Sequence, residues 1–322
     1  MAGTVLITGA NGSLGLPFVE HILASHPSYT VIAAVRNPSA AALPRVASIE
    51  ALDLSSLAAV RTFAARIAAR IADGEISPLA AIVCNAFTWS LDGQLVTPDG
   101  FEKTFQVGHL AHHLLVLELL GSMAADGRVV MLGSSSHYPE RPVPLSRLTA
   151  EFPGDVEALV KPLPDEPGDE HDRGFQRYST AKLASVMFMH DLNRRLQQDP
   201  NLSGICVTVM DPGGLVDSRA HVHQKPAVRV MFAVVNALLP LLRRFTTEVR
   251  RSVDSARDLV ELSVGDRFKG VRGYYVGLKA TESALVCKDA EKLSLLWDGC
   301  WRWAGLAEDE TVLGDAKPKT VK

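Results

Sequence analysis

The chain of 322 residues is 47% hydrophobic and 21% charged, and its formal net charge is −3. This composition is typical of a globular protein with a substantial core, and the charge gives no electrostatic reason to expect a nucleic-acid partner. Its four cysteines are far apart and lack metal-ligand spacing. We therefore expect reduced, buried thiols in a cytoplasmic protein, and no metal site.

The sequence contains no segment with the length and apolar character of a membrane-spanning helix. The apolar segment 4–8 is followed at once by glycines, so we expect no signal peptide. The apolar segment 228–242 contains Arg229, Asn236 and Pro240 and is predicted to be a buried or substrate-covering helix. Loose contact of this helix with a membrane surface is an alternative that the sequence leaves open.

Short runs rich in Val and Ile alternate along the chain with longer helical patterns. The predicted strands are residues 4–8, 29–35, 46–52, 79–84, 128–132, 204–210 and 273–276. The predicted helices are residues 14–25, 55–72, 98–125 and 176–198, the third with Thr97 as its cap and Pro98 in its first turn. The alternation predicts an α/β fold, a Rossmann-type doubly wound parallel sheet with helices on both faces.

We predict one NAD(P)-binding Rossmann domain over residues 1–322, because no clear domain boundary is present. Residues 139–175 form a long insert that is rich in proline and acidic residues, a composition that disfavours regular structure. Such a segment is either functional, as a lid or an added substrate wall, or a solvated excursion. Residues from about 215 to 250 are predicted to cover the substrate.

A glycine-rich turn follows the first predicted strand and precedes the first helix. A tight turn, close approach of a pyrophosphate to the backbone and close helix packing each favour residues without a side chain. The N-terminus of the helix then offers free N–H groups to the phosphates. The predicted cofactor-binding residues of this turn are Gly9, Asn11, Gly12, Ser13, Leu14 and Gly15.

The end of the second predicted strand carries Arg36, at the place where NAD enzymes usually have a carboxylate for the ribose hydroxyls. An arginine at this position can pair with the 2′-phosphate of NADP, and the repulsion that a carboxylate would exert is absent. An ordinary surface arginine is the alternative. We predict NADP(H) as the cofactor.

Tyr178 and Lys182 lie four residues apart in a predicted helix, so their side chains share one face. A free tyrosine has a pKa of ~10, which is too high for easy proton exchange at neutral pH. A lysine ammonium one turn away favours the phenolate, so we expect it to lower this pKa. The pair predicts Tyr178 as the proton-transfer residue.

Together, the glycine turn and this Tyr-Lys pair resemble the short-chain dehydrogenase/reductase (SDR) family over residues 4 to about 305. The segment 132–137 is similar to the serine strand end of the family. The resemblance implies that Ser134 positions the substrate oxygen, a role that Ser135 or Ser136 could also fill. It also implies a catalytic group of Ser134, Tyr178 and Lys182, with Tyr178 and Lys182 in contact with the cofactor.

Further cofactor-binding residues implied by the resemblance follow the third, fourth and sixth strands: Asp53, Leu54, Asn85, Ala86, Pro212, Gly213 and Gly214. The first two match an adenine-contacting pair. The next two match an Asn-Ala-Gly motif, in which Phe87 replaces the glycine. The last three match a Pro-Gly turn beside the nicotinamide, and Ser218 or Asp217 falls near the usual threonine of the family.

Residues 98–107 and 290–297 are most similar to the retinol-dehydrogenase and protochlorophyllide-reductase branch, with fungal ketosteroid-reductase-like members as a near alternative. Such relatives often act on hydrophobic carbonyl compounds, which implies a sterol, a retinoid or a polyketide-like substrate. Homo-oligomerisation is common in the family, and the helices 98–125 and 176–198 are the surfaces that we expect to mediate it, unless the long insert blocks one of them.

Three features depart from the family pattern. Gly12 stands one place earlier than usual, and the gap from Ser134 to Tyr178 is unusually long. The catalytic asparagine of the family should fall at position 108, which is a glycine followed by His109. Because that asparagine holds a water behind the lysine, the resemblance leaves three alternatives open: water alone completes the proton relay, His109 assists it, or turnover is weak.

We therefore predict an NADP(H)-dependent oxidoreductase that interconverts a ketone or aldehyde and an alcohol on a hydrophobic small molecule. The alternatives are an NADP-binding regulator without turnover and an SDR-derived enzyme of non-redox biosynthetic chemistry. The histidines at 109, 112 and 113 and at 221 and 223 raise a metal hypothesis, but no acidic partner stands at metalloenzyme spacing. Core or surface histidines are the preferred interpretation.

Overall fold

The computed structural model of the chain describes residues 2–44, 48–143, 145–224, 226–242 and 249–314. Its strands are β1 (Gly3–Thr8), β2 (Tyr29–Val35), β3 (Ser48–Ala51), β4 (Leu79–Cys84), β5 (Met123–Leu132), β6 (Cys206–Asp211), β7 (Gly214–Leu215), β8 (Val249–Arg250), β9 (Gly273–Val276) and β10 (Lys279–Ala280). Its α-helices are α1 (Gly15–Ser25), α2 (Leu57–Ala72), α3 (Lys103–Phe105), α4 (Ala111–Leu119), α5 (Glu170–Gln198), α6 (Pro226–Leu242), α7 (Ser252–Val264) and α8 (Ala290–Ala304).

The central sheet has the strand order β10-β9-β6-β5-β4-β1-β2-β3. All neighbouring strands in it are parallel except β9 and β10, which form an antiparallel pair at one edge. The order reverses between β1 and β4, and in such sheets ligands bind at this switch point, at the carboxyl ends of the strands. The predicted fold class, a Rossmann-type doubly wound sheet, is confirmed.

Helices cover both faces of the sheet, which explains why β1 is buried along its whole length. Side chains alternate between the faces along a strand. Val5 and Ile7 pack with Phe18 of α1, together with α7, on one side. Leu6 belongs to the larger cluster on the other side, to which α2, α4, α5 and α8 contribute.

The helix predicted from residue 98 begins later, at Lys103, so the predicted cap and first turn are wrong. Residues 97–100 form a tight turn in which Gly100 has a φ of +82°. The Thr97 hydroxyl donates to Gln106 Oε1 at 2.5 Å instead of capping a helix. The cap is Glu102, whose carboxylate accepts from the Phe105 N–H at 2.8 Å.

The same helix ends earlier than predicted, because β5 already begins at Met123, which pairs with Leu79 of β4. Conversely, α5 begins at Glu170 rather than at residue 176. Its first turn contains Glu170 and Asp172, acidic residues that favour a helix N-terminus and that had suggested a loop. The first two residues of the strand predicted at 46–52 lie outside the described residues.

The described part of the insert packs against α5 and α8. Leu159 and Val160 are buried in the core, next to a 3₁₀ turn at Val156–Leu159. Glu157 accepts from the indole N–H of Trp303 in α8 at 3.0 Å. The insert therefore covers the outer side of α5, and the alternative that it forms a lid or a substrate wall finds no support in these contacts.

The two helices expected to mediate oligomerisation are covered by the chain itself. Every residue of α4 except Glu118 is buried, and residues 181–189 of α5 are buried without interruption. Trp297 and Trp301 of α8 contribute to this cover. The expected interface is thus wrong, and homo-oligomerisation stays a prediction that would need another surface.

The apolar segment at 228–242 is helical, as predicted, and forms most of α6. It is only partly buried: Val230, Val234 and Leu238 are about half exposed or more, whereas Leu239 is buried. Among the described residues, none of the helices is both long and apolar enough to cross a bilayer. The four cysteines are all buried and free, as the sequence predicts.

Candidate active site

A cavity of about 530 Å³ lies at the carboxyl ends of β1, β2, β4, β5 and β6. Most of the predicted site residues line it: Gly9, Asn11, Gly12, Ser13, Leu14, Arg36, Asn85, Ala86, Tyr178, Lys182, Pro212 and Gly213. The fold therefore brings the glycine turn, Arg36 and the Tyr-Lys pair into one space. It is large enough for a nucleotide portion and a small substrate.

The glycine turn is packed so tightly that side chains would not fit. Gly9 has a φ of +63°, and a Cβ there would lie 3.0 Å from the Cα of Ala86. A Cβ on Gly15 would lie only 2.4 Å from the Gly9 carbonyl oxygen. Gly15 thus allows α1 to start close to the strand, and its role is in packing rather than in lining the cavity.

Thr8 joins the glycine turn to the end of β4. Its hydroxyl accepts the backbone N–H groups of Asn85 and Ala86, each at 3.0 Å. The Asn85 amide donates back to the carbonyls of Thr8 and Gly9, at 2.9 and 3.2 Å. The side chain of Asn85 therefore fixes the turn, and the segment after it forms a wall of the cavity.

The structure places Ser134 against Tyr178, whose hydroxyl is hydrogen-bonded to the Ser134 side chain. Ser134 also accepts from the N–H and the hydroxyl of Ser136, at 3.2 and 3.1 Å, as the cap of a 3₁₀ turn. Of the three consecutive serines, the first is thus the one beside the tyrosine. Whether it positions a substrate oxygen stays a prediction.

Lys182 is buried one helical turn after Tyr178, and its ammonium donates to the Leu132 carbonyl at the end of β5 at 2.7 Å. Burial lowers the pKa of Lys182 to about 8, while the Asp211 carboxylate raises it. Burial raises the pKa of Tyr178 to about 12, against the effect of the bond from Ser134. The expected lowering of the tyrosine pKa by Lys182 is not found, so Tyr178 is protonated at neutral pH.

Aromatic rings pack around Tyr178, and one of them, Phe87, also lies 5.4 Å from the Lys182 ammonium. The Phe87 and Trp89 rings lie 5.6 and 5.2 Å from the Tyr178 ring, between centroids, and Trp89 in turn packs on Phe175. Phe87, which stands at the glycine position of the family motif, is 41% exposed and lines the cavity. The sequence shows this substitution, but no local pattern predicts a role for Phe87 or Trp89.

The segment after β6 closes the cavity from the other side. Leu215, Ser218, Arg219 and His221 line it. Asp217 instead accepts from the backbone and side chain of Ser252 at the start of α7, so Ser218 is the one of the two near the cavity. That the region from 215 to about 250 covers a substrate stays a prediction. The later part of the region, residues 243–248, lies outside the described residues.

Four further predicted residues do not line the cavity. Asp53 accepts from the backbone and hydroxyl of Ser55, and Leu54 is buried in the core beneath α2. Gly214 is exposed at the start of β7, and Ser134 is bonded to Tyr178, which lines the cavity, without lining it itself. Contacts of Asp53, Leu54 and Gly214 with a cofactor stay predictions.

Three histidines of the metal hypothesis, His109, His112 and His113, are buried as core residues, whereas His221 lines the cavity and the side chain of His223 lies outside the described part of the structure. His109 lies 3.4 Å from the Cys300 sulfur, through Nε2, and the His113 ring packs on Trp297 and Phe188. Within the described ranges, no group of three metal-ligating side chains comes together. Position 108 lies in a π-helical turn, Gln106–Leu110. Because this residue is glycine, it offers no side chain to a relay behind Lys182.

The fold, the packed glycine turn and the Tyr-Lys-Ser grouping define a nicotinamide-dependent oxidoreductase. A model of the AcuH dehydrogenase domain matches residues 221–313. The short-chain dehydrogenase iccH of Talaromyces variabilis is 32% identical, over 97% of this chain and 98% of that protein. The chain belongs to the short-chain dehydrogenase/reductase family, so the predicted family and enzyme class are confirmed.

Other relatives agree with the predicted branch. Protochlorophyllide reductase A of Oryza sativa is 26% identical, over 94% of this chain and 81% of that protein. The WW domain-containing oxidoreductase of Danio rerio is 30% identical over 84% of this chain, which spans 60% of that longer protein.

Solved structures share the fold at low identity. The angucycline C-6 ketoreductase LanV with bound NADP has a TM-score of 0.56 at 18% identity, covering 85% of this chain and 93% of that one. A short-chain dehydrogenase of Burkholderia cenocepacia in complex with NADP has a TM-score of 0.56 at 19% identity, covering 86% of this chain and 96% of that one.

Proposed function

We propose that the protein is an NADP(H)-dependent oxidoreductase that interconverts a ketone or aldehyde and an alcohol on a hydrophobic small molecule. One observation carries this proposal: the hydroxyl of Tyr178, bonded to Ser134 and one turn from Lys182, stands in the same cavity as the glycine turn. A proton donor and a nucleotide-binding turn in one cleft are what carbonyl reduction requires.

The residues present fit a nicotinamide dinucleotide. The glycine turn would hold the diphosphate, because Cβ atoms at Gly9 and Gly15 would fill the space that the backbone needs. Arg36 lines the cavity at the end of β2 and would pair with a 2′-phosphate, which supports NADP(H) over NAD(H). When bound, this cofactor supplies or accepts the hydride.

For reduction, the carbonyl oxygen accepts hydrogen bonds from Ser134 and Tyr178, which polarise the carbonyl group. Tyr178, protonated at neutral pH, donates its proton to this oxygen. The Lys182 ammonium, held by the Leu132 carbonyl, supports the developing phenolate electrostatically. The reverse sequence of proton transfers serves the oxidation of an alcohol.

The walls of the cavity favour a hydrophobic, planar substrate. Phe87 and Trp89 line the cavity with aromatic surface beside the Tyr178 ring, and such surfaces stack on flat conjugated rings. This supports the retinoid-like and polyketide-like substrates of the sequence prediction over a bulky aliphatic one. The ketoreductase activity named for LanV is consistent with the same proposal.

The test is Tyr178→Phe, with Tyr138→Phe as a matched control whose hydroxyl bonds the Glu282 carbonyl instead. We expect Tyr178→Phe to bind NADPH as the wild type does, and its kcat for a planar ketone to fall by a factor of ~10²–10⁴. Tyr138→Phe should keep both properties. Full turnover by Tyr178→Phe would refute the proposed chemistry.

A second candidate function, NADP(H) binding without turnover, is favoured by the glycine at position 108, where the relay asparagine of the family is absent. Titration calorimetry of the wild type with NADPH, followed by a screen of ketones and aldehydes, separates the two functions. Tight binding without oxidation of NADPH by any carbonyl compound would support the regulator.

A further inference from the structure

We propose that Arg219 binds the diphosphate of the cofactor, as a second cationic ligand supplied by the loop after β6. This inference rests on the proposed function, because it requires that the cavity takes a dinucleotide. It assigns to Arg219 a role separate from that of Arg36, and the two arginines line the same cavity.

Arg219 is held directly at the glycine turn, although 206 residues separate it from Ser13. Its backbone N–H donates to the Ser13 hydroxyl at 2.9 Å, and its guanidinium donates to the backbone carbonyl of Asn11. Both partners belong to the turn that leads into α1. The guanidinium therefore stands where the glycine turn exposes its backbone to a diphosphate.

The charge of Arg219 has no anionic partner in the part of the chain that the structure describes. Its side chain is exposed and lines the cavity, and among the described residues the acceptor of its guanidinium is the neutral Asn11 carbonyl. A guanidinium has five N–H donors, so most of its donors remain for a ligand. A diphosphate would accept stronger, charge-assisted bonds than the carbonyl does.

The glycine turn itself contributes no charged side chain, since residues 9–15 are all neutral. Its backbone N–H groups and the N-terminus of α1 attract an anion, but only with partial charges. Arg36 directly follows β2, where a 2′-phosphate is expected. Arg219 is thus placed to neutralise the diphosphate, which NADPH and NADH share. Arg36 is placed to neutralise the 2′-phosphate, which only NADPH carries.

This division predicts opposite signatures for the two arginines. In titrations followed by nicotinamide fluorescence, Arg219→Ala should weaken the binding of NADPH and of NADH by the same factor, about ten- to a hundredfold for a lost charge-assisted bond. Arg36→Ala should weaken the binding of NADPH alone. Arg219→Lys should recover much of the loss, because a lysine ammonium still offers a positive charge to phosphate.

Arg229→Ala is the control, since this exposed arginine of α6 does not line the cavity and should leave both affinities unchanged. Urea unfolding of each variant checks the fold, and Arg219→Gln replaces Arg219→Ala if the alanine variant is unstable. Wild-type affinities in Arg219→Ala and Arg219→Gln would overturn the inference, and so would a loss confined to NADPH. Failure of the wild type to bind either nucleotide would instead refute the proposed function.

Discussion

The imidazole of His112 hydrogen-bonds the hydroxyl of Thr8 at 2.9 Å, beneath the glycine turn. The Thr8 hydroxyl already accepts two backbone N–H groups, so its own proton is donated to Nε2 of His112. The other ring nitrogen of His112 donates to the Gly108 carbonyl. The neutral ring thus connects the π-helical turn before α4 to the cofactor side of β1 and β4.

We expect removal of this contact to destabilise the glycine turn and the end of β4. His112→Phe should lower the free energy of unfolding by ~1–3 kcal/mol, because the Thr8 hydroxyl and the Gly108 carbonyl lose a buried partner. Thr8→Val should do the same. In a double-mutant cycle measured by urea unfolding, the two changes should couple by ~0.5 kcal/mol or more. Fully additive effects would mean that the bond contributes nothing to stability.

The buried histidines should make stability depend on pH. Burial lowers the pKa of His112 and His113 to about 3, and that of His109 well below its usual value. An unfolded histidine titrates near ~6.5, so below this pH the unfolded state binds more protons than the folded one, and stability falls as the pH falls. His112 and His113 each contribute up to ~1.4 kcal/mol per pH unit between about pH 6 and 4.

His113→Leu isolates one of these contributions. Neither ring nitrogen of His113 has a hydrogen-bond partner within the described residues, so leucine removes the titration without leaving a donor unpaired. Burial raises the pKa of Glu118 to about 7, which gives an opposite pH dependence in the same window, but equally in both proteins. Urea unfolding at pH 6.0, 5.5 and 5.0 should show a shallower slope for the variant. Parallel slopes would show that His113 is not held neutral.

The packing of the glycine turn can be tested with two alanine substitutions. Gly15→Ala places a Cβ 2.4 Å from a backbone oxygen and 2.8 Å from the Ala10 Cα, so the backbone must shift. We expect a loss of ~1–3 kcal/mol of stability and weaker NADPH binding. Gly154→Ala is the control, because no atom lies within 4 Å of the new Cβ. Thermal unfolding and NADPH titration should separate the two variants clearly.

Phe87→Gly restores the family motif and removes the exposed ring beside Tyr178. If the ring binds the substrate, kcat/KM for a planar aromatic ketone should fall about tenfold, equivalent to ~1.4 kcal/mol of lost stacking. A small aliphatic ketone should be reduced as before, and NADPH affinity should stay the same. A higher rate for the aromatic ketone in the variant would show that Phe87 obstructs the substrate instead.

The sheet and most of the cavity could be predicted from the sequence because their signals are local. Apolar runs, the glycine turn and the i,i+4 pair of Tyr178 and Lys182 each fit within a few neighbouring residues. The helix boundary at 98 was wrong for the same reason. Thr97 and Pro98 form a plausible cap, and only the bond from Thr97 to Gln106 and the bend at Gly100 show that the chain turns first.

The remaining features depend on contacts between distant residues, which no local pattern contains. The bond from His112 to Thr8 spans 104 residues, and the contacts of Arg219 with the glycine turn span more than 200. The pKa of Tyr178 also differs from the sequence prediction. The spacing of Lys182 predicts a lowered pKa, but burial of the phenol is the largest effect on this group, and it raises the pKa.

The four buried cysteines have a consequence for the chemical durability of the protein. Burial raises the pKa of Cys84 and Cys287 to about 12 and that of Cys206 and Cys300 above their usual value, so reactive thiolate is scarce in the folded chain. Cys84 directly precedes Asn85, which fixes the glycine turn, yet oxidants and alkylating reagents reach Cys84 only when the sheet opens. The folded enzyme should therefore tolerate oxidising surroundings, and labelling of its thiols would record each opening of the sheet.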